Sequence, residues 1–119
     1  ALGATIVTWT VTDGSGNTAT CEQTVTVTDT TSPTIVCPAD TAVYADVNCE
    51  ATIVLVNPMT DDNCSVASVS NDAPTAFALG VTTVTWTVTD GSGNTATRVQ
   101  TVTVTDTTSP TIVCPADTA

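Results

Sequence analysis

Five cysteines, two copies of an Asp-Gly-Ser-Gly-Asn loop and a scatter of Asp-Thr pairs are the residues of this chain with chemistry to offer. Cys21, Cys37, Cys49, Cys64 and Cys114 match neither a zinc motif nor a redox CxxC pair in their spacing. They fit disulfide chemistry in an oxidising, extracellular compartment. In each loop, Asp13, Ser15 and Asn17, and again Asp90, Ser92 and Asn94, set oxygen-bearing side chains at alternate positions. Such a run could open a calcium site, because that ion takes hard oxygen ligands. The loops lack a closing bidentate Glu, and the same residues also make a Gly-rich hairpin turn. Both readings stay open, as does calcium held where Asp29 or Asp106 meets turn carboxylates. No other cofactor is called for. Catalysis has little to work with: there is no His, no Lys and a single Arg, Arg98. The usual general bases and oxyanion clamps are missing, and the chain is expected not to be an enzyme.

Twelve acidic residues against one basic residue give a formal net charge of −11. A field of that sign repels phosphate backbones and anionic lipid, which argues against nucleic-acid and membrane-surface partners. No run of about 18 apolar residues exists, so no membrane insertion is expected. Covalent sugars are a better match. Asn63-Cys64-Ser65 satisfies the N-glycosylation pattern at Asn63. Asp29-Thr30-Thr31 and Asp40-Thr41-Ala42, with copies at Asp106-Thr107-Thr108 and Asp117-Thr118-Ala119, look like an Asp-Thr-small acceptor of bacterial O-glycosylation. Thr30, Thr41, Thr107 and Thr118 are therefore the O-linked candidates. The competing reading is that Thr is simply abundant on the solvent faces of strands.

The elements that must position these residues repeat. Residues 1–42 recur as 78–119, differing only at Ala4/Val81, Ile6/Thr83, Cys21/Arg98 and Glu22/Val99. A long period with such identity is the mark of a tandem array. Residues 5–12 alternate strictly, with Val7, Trp9 and Val11 on one face and Thr on the other. After the Gly-rich turn, Ala19, Cys21, Val25 and Val27 continue in phase, which predicts a long β-hairpin with one apolar face, repeated over 84–104. Pro33 cannot extend a ladder, so the unit boundary falls near Asp29 and again near Asp106. The expected organisation is a C-terminal hairpin of a preceding repeat at 1–28, a complete repeat at 29–105, and the first strand of a following repeat at 106–119. Further strands are expected at 34–38, 41–44, 51–56, 66–70 and 75–79, with turns at Asn57-Pro58 and 60–63. About seven short strands in one period suggest a two-sheet sandwich. Its expected core is Ile35, Ile53, Leu55, Phe77, Leu79, Val84, Trp86, Val88, Val102 and Val104.

The run Ser-Pro-Thr-Ile-Val-Cys-Pro from Ser32, the Asp62-Asn63-Cys64-Ser65 loop and the stretch from Val84 to Thr97 together resemble the hyalin repeat, or HYR, module family. The resemblance covers the whole repeat. It implies an all-β, immunoglobulin-like two-sheet sandwich, repeated in tandem, in extracellular adhesion, surface or matrix proteins. It also implies that Cys49 and Cys64 are the inner disulfide pair of one unit. One departure is clear: the family pattern carries Cys after Asn-Thr-Ala-Thr, as at Cys21, where the complete repeat has Arg98. Cys37 thus loses its natural partner and either stays unpaired or reaches back to Cys21. Arg98, in an inward phase, is expected to snorkel to the sheet edge or meet an Asp.

The functional expectation is a secreted or surface-anchored structural protein, its HYR repeats forming a fibre, stalk or adhesin shaft. The alternative is an adhesive module whose loops hold a glycan or a protein receptor. The expected partners are neighbouring repeats of the same protein, in linear assembly. The strands missing over the 1–28 hairpin would come from upstream in the chain or from a neighbouring chain that donates a segment such as 111–115.

Overall fold

A computed structural model describes residues 1–118. Among them there is no helix, so none is long and apolar enough to cross a membrane. The Thr/Val alternation produces two long antiparallel hairpins, because β-branched residues fit the pleated, half-buried surface of a sheet. The first joins β1 (Gly3–Thr12) to β2 (Thr18–Val27). Its copy in the complete repeat joins β9 (Gly80–Asp90) to β10 (Thr95–Thr105). The registers agree, with Trp9 opposite Cys21 in one and Trp86 opposite Arg98 in the other.

Between them lie β3 (Thr34–Val36), β4 (Thr41–Tyr44), β5 (Glu50–Ala51), β6 (Met59–Asp61), β7 (Val66–Asn71) and β8 (Phe77–Ala78). One sheet has the order β4-β10-β9-β7, in which β4 runs parallel to β10 and the other pairs are antiparallel. A register shift between Val66 and Ser68 bulges β7 where it meets Asp90. The ribbons β3-β6 and β5-β8 supply the other layer. Ile35, Ala51, Phe77, Val84, Trp86, Val88, Val102 and Val104 form one buried cluster between them.

The departures from expectation have local causes. The strand expected at 51–56 is confined to β5, and Ile53 and Leu55 pack on the core only partly buried. Residues read as a turn from Thr60 instead begin as β6, paired with the strand that enters the unit. Leu79 is exposed rather than buried. It stands between β8 and Gly80, whose φ of +99° kinks the chain and breaks the in-out parity carried from Phe77.

The largest surprise is polar. Gln100 is 2% exposed in the middle of the apolar face. Its Oε1 accepts the Trp86 indole N–H at 2.9 Å and its Nε2 donates to the Ala39 carbonyl at 2.9 Å. A buried indole needs an acceptor, and Gln100 provides it while tying β10 to the loop before β4. Replacing Gln100 with Leu leaves the buried Trp86 indole N–H unpaired and should cost about 1–3 kcal/mol in urea unfolding. Gln23→Leu, at the exposed copy of this position, should cost less than about 0.5 kcal/mol.

Candidate functional site

Acidic side chains converge where the chain enters the complete repeat. Three segments meet there: the entry around Asp29, the loop from Asp62 to Ser65, and the β9–β10 turn. Asp29 is 7% exposed and Asp90 2% exposed, an unusual depth for carboxylates. Asp29 Oδ1 accepts from the Thr31 N–H at 3.0 Å and from Asn63 Nδ2 at 3.3 Å. Its backbone carbonyl accepts from Asn94 Nδ2 at 3.1 Å, fastening the entry to the turn. Asp62 Oδ2 accepts from the N–H groups of Cys64 and Ser65, both at 3.0 Å. A carboxylate oxygen of Asp29, one of Asp62 and the Cys64 Sγ all lie within 4.8 Å of one another.

Asp90 is satisfied by its own turn. Its Oδ1 accepts from the N–H groups of Ser92 and Asn94, and its Oδ2 from Asn94 Nδ2, each at 2.8 Å. Gly93, at φ +89°, takes the left-handed position that closes the turn at little steric cost. Burial works to raise the Asp90 pKa, but the Asn94 side chain and the N–H donors outweigh it and hold the carboxyl below its usual 3.8. A depressed folded-state pKa gives stability that is present above the unfolded value and lost as pH falls through the folded one. Acid unfolding followed by circular dichroism should therefore steepen below pH 3.8, and Asp90→Asn should flatten that limb.

The loops expected to start a calcium site are thus closed on themselves. Asp13 repeats the arrangement, accepting from Ser15 N, Asn17 N and Asn17 Nδ2 at 2.9 Å each. With both oxygens of each Asp taken by the turn, the Asp13-Ser15-Asn17 and Asp90-Ser92-Asn94 sets form Asx-type hairpin turns. At the junctions, Asp29 is buried, whereas its copy Asp106 is exposed and accepts a local bond from Thr108 N at 2.9 Å. Asp62, named in the sequence only as part of a loop, is the member of this cluster that reading by pattern misses. Its partner, Asp29, stands 33 positions earlier, and only the pairing of β3 with β6 brings them together.

The cysteines of the chain are Cys21, Cys37, Cys49, Cys64 and Cys114. All five are free thiols. Cys49 sits in the turn where Asp46 N–H bonds the Glu50 carbonyl at 2.8 Å, next to Ala45, which donates to Thr105 at 2.9 Å. Cys64 lies at the other end of the sandwich, beside the turn that begins at Asp90, where Gly91 N–H bonds the Ser65 carbonyl at 3.1 Å. About ten residues of strand at ~3.3 Å each separate those ends, whereas a disulfide needs Cα atoms within about 7 Å. The geometry of the unit therefore stands against a Cys49–Cys64 bond inside it. The Cys64 thiol end loses water against its loop, and Asp29, Asp62 and Asp90 add repulsion, so its pKa is pushed above the usual 9.0. Cys37 packs partly buried on the core. Arg98 is exposed as expected, its Nη1 donating to the Thr97 carbonyl at 2.9 Å.

The glycosylation candidates divide by access. Thr30, Thr107 and Thr118 are exposed. Thr41 is half-buried in β4, and its Oγ1 accepts from Gln100 Nε2 at 3.4 Å. Asn63 is exposed, but its amide nitrogen is the group bonded to Asp29.

The complete repeat is thus entered through a segment pinned at Asp29, with the Asp-Asn-Cys-Ser loop folded onto it and a Trp-bearing hairpin closing the unit. A model described as the HYR domain matches residues 28–104. Hyalin from Strongylocentrotus purpuratus is 37% identical over 126 aligned residues, covering 98% of this chain and 10% of that protein. Hyalin from Lytechinus variegatus is 38% identical over 123, covering 95% of this chain and 23% of that protein. The chain thus spans less than a quarter of the length of either hyalin. With the match running from the entry segment that carries Asp29 to the end of the Trp86 hairpin, the chain belongs to the HYR domain family.

Proposed function

We propose that this chain is a segment of an extracellular structural protein, in which HYR units stack end to end as the shaft of a fibre, stalk or adhesin. One observation carries the reading: the same hairpin occurs twice, bare once and covered once. Trp86 is 1% exposed and Trp9 is 60% exposed, although their strands are nearly identical. In the assembled protein, strands equivalent to residues 29–79 cover the β1–β2 face. A neighbouring unit of the same polypeptide is their preferred source. Burying Trp9, Val11, Val25 and Val27 would return about 1.5–3 kcal/mol for each side chain.

The shape supports a linear arrangement. The radius of gyration is 29.3 Å and the principal extents are 127 × 18 × 14 Å. A compact chain of this length would have a radius of gyration of about 13–14 Å. The hairpin, the complete unit and the 106–118 segment lie in line, with short linkers that leave little freedom.

The cysteines suit the same arrangement across units. Cys49 lines one pocket with Asp106 and Thr108. Cys64 lies beside Asp29, of which Asp106 is the copy. A following unit would therefore bring its own Cys64 to Cys49 of the unit before it. Joining them releases two protons and passes two electrons to a disulfide-bonded carrier by thiol–disulfide exchange. Cys49 holds φ +61°, at the turn position where the hairpin turns have Gly16 and Gly93. A non-Gly residue pays for that conformation, which is tolerated where the side chain has a use. Sugars on the open Thr30 and Thr107 would coat the junctions.

Electron microscopy of the native assembly tests the reading. Filaments one unit thick are expected; compact particles with no linear order would overturn it.

A further inference from the structure

We propose that Asp29 and Asp62 form a binding site for one hard divalent cation of the calcium class, built inside a single HYR unit. Each carboxylate has one oxygen fully engaged by nitrogen donors and one left over. Asp29 Oδ1 and Asp62 Oδ2 take two N–H donors apiece. Asp29 Oδ2 and Asp62 Oδ1 are buried and have no hydrogen-bond partner. The Asp29 side chain is more than nine-tenths buried, so its bare oxygen cannot simply turn to solvent.

The charge balance points the same way. Asp29, Asp62 and Asp90 all act on the Cys64 thiol, so three carboxylates share this corner. No basic residue answers them: the sole Arg of the chain is exposed on β10 and bonded to Thr97. Buried anions without a counter-charge are costly and are found paired or bound to metal. Asp90 Oδ1 takes two N–H donors of its turn and Oδ2 only the Asn94 side chain, and Asp90 stands within hydrogen-bonding reach of Asp29, so it is the third carboxylate at the site. Two carboxylate oxygens favour a hard cation with its remaining positions filled by water.

The N–H donors act as the orienting shell such a site needs, because they fix which oxygen of each carboxylate faces inward. A bound cation would tie the entry segment to the 62–65 loop at the end of the unit where a preceding unit connects. Asp106 has the same local turn but lacks the loop partner, so one site per chain is expected. The proposal does not depend on the array reading, since both ligands belong to one unit.

The test is calorimetric titration and thermal unfolding of the full 119-residue chain after chelator treatment, with Ca2+ and Zn2+ added separately. One Ca2+ per chain should bind, with a dissociation constant on the order of 10⁻⁴–10⁻³ M, as in extracellular modules. At about ten times that concentration the melting temperature should rise by roughly 5–10 °C. Asp62→Asn keeps an oxygen for the Cys64 and Ser65 N–H groups while removing the charge. It should abolish the Ca2+ shift while melting no lower than the metal-free parent chain. Asp29→Asn should behave likewise, and Asp117→Asn, in the exposed tail, should keep the full response. The proposal is overturned if Ca2+ gives neither heat nor shift. It is also overturned if Asp62→Asn retains the shift, or if only Zn2+ binds and Cys64→Ala abolishes it.

Discussion

Trp86→Ala is expected to unfold the complete unit at ambient temperature or bring it close to unfolding, whereas Trp9→Ala leaves unfolding of that unit unchanged. The two residues sit in hairpins of the same register, and each indole N–H bonds a Gln at 2.9 Å. Only the covering layer differs. Ile35, Ala51 and Phe77 share the core with Trp86, which is 1% exposed, while Trp9 is 60% exposed. Truncating a buried Trp costs about 3–5 kcal/mol through lost transfer energy and the cavity left behind. A unit of this size holds roughly 4–12 kcal/mol in all. Urea unfolding followed by far-ultraviolet circular dichroism measures both variants. Equal losses at the two positions would mean that the β1–β2 face is covered in solution after all.

The second large effect concerns the cysteines and needs a chain extended to complete a second unit, with residues 43–105 repeated after residue 119. Cys49 of the earlier unit and Cys64 of the later one would then close a loop of about 92 residues, worth about 4–5 kcal/mol by loop-closure entropy. With Cys21, Cys37 and Cys114 changed to Ala, serine at Cys64 of the first unit and at Cys49 of the second leaves only the pair across the junction. That chain should form the bond under a disulfide-exchange buffer and lose the stabilisation on reduction. The opposite pair of serines leaves the two thiols at the far ends of the array, where no bond should form. A non-reduced digest showing Cys49 joined to Cys64 within one unit would contradict the geometry described above.

The hairpins, the repeat and the unit's Trp-centred core were legible because period-two alternation of Val and Thr specifies both a strand and its buried face. The middle of the unit was less legible. Residues 51–56 carry enough Val, Ile and Leu to look like a strand, yet only Glu50 and Ala51 pair, and Pro58 just beyond them cannot join a ladder. Gln100 could have been found: the phase that contains Val102 and Val104 also contains it, and a buried Trp needs an acceptor. The separation of Cys49 from Cys64 within one unit was not legible, because proximity in sequence says nothing about which end of a sandwich a turn occupies. The Asp29–Asp62 pair was hidden for the same reason. Its members meet through β3 and β6, and β6 was read as a turn. In the Asp-Gly-Ser-Gly-Asn loops the regular oxygens serve the turn's own N–H groups, a use that the pattern of side chains does not distinguish from ligation.

End-to-end stacking of HYR units is most directly tested by small-angle X-ray scattering on chains lengthened by one, two and three periods. The account predicts a maximum dimension near 127 Å for the present chain, a constant increment for each added period and an unchanged cross-section of about one unit. A maximum dimension that levels off while the cross-section grows would show that the units fold back on one another, and would contradict it.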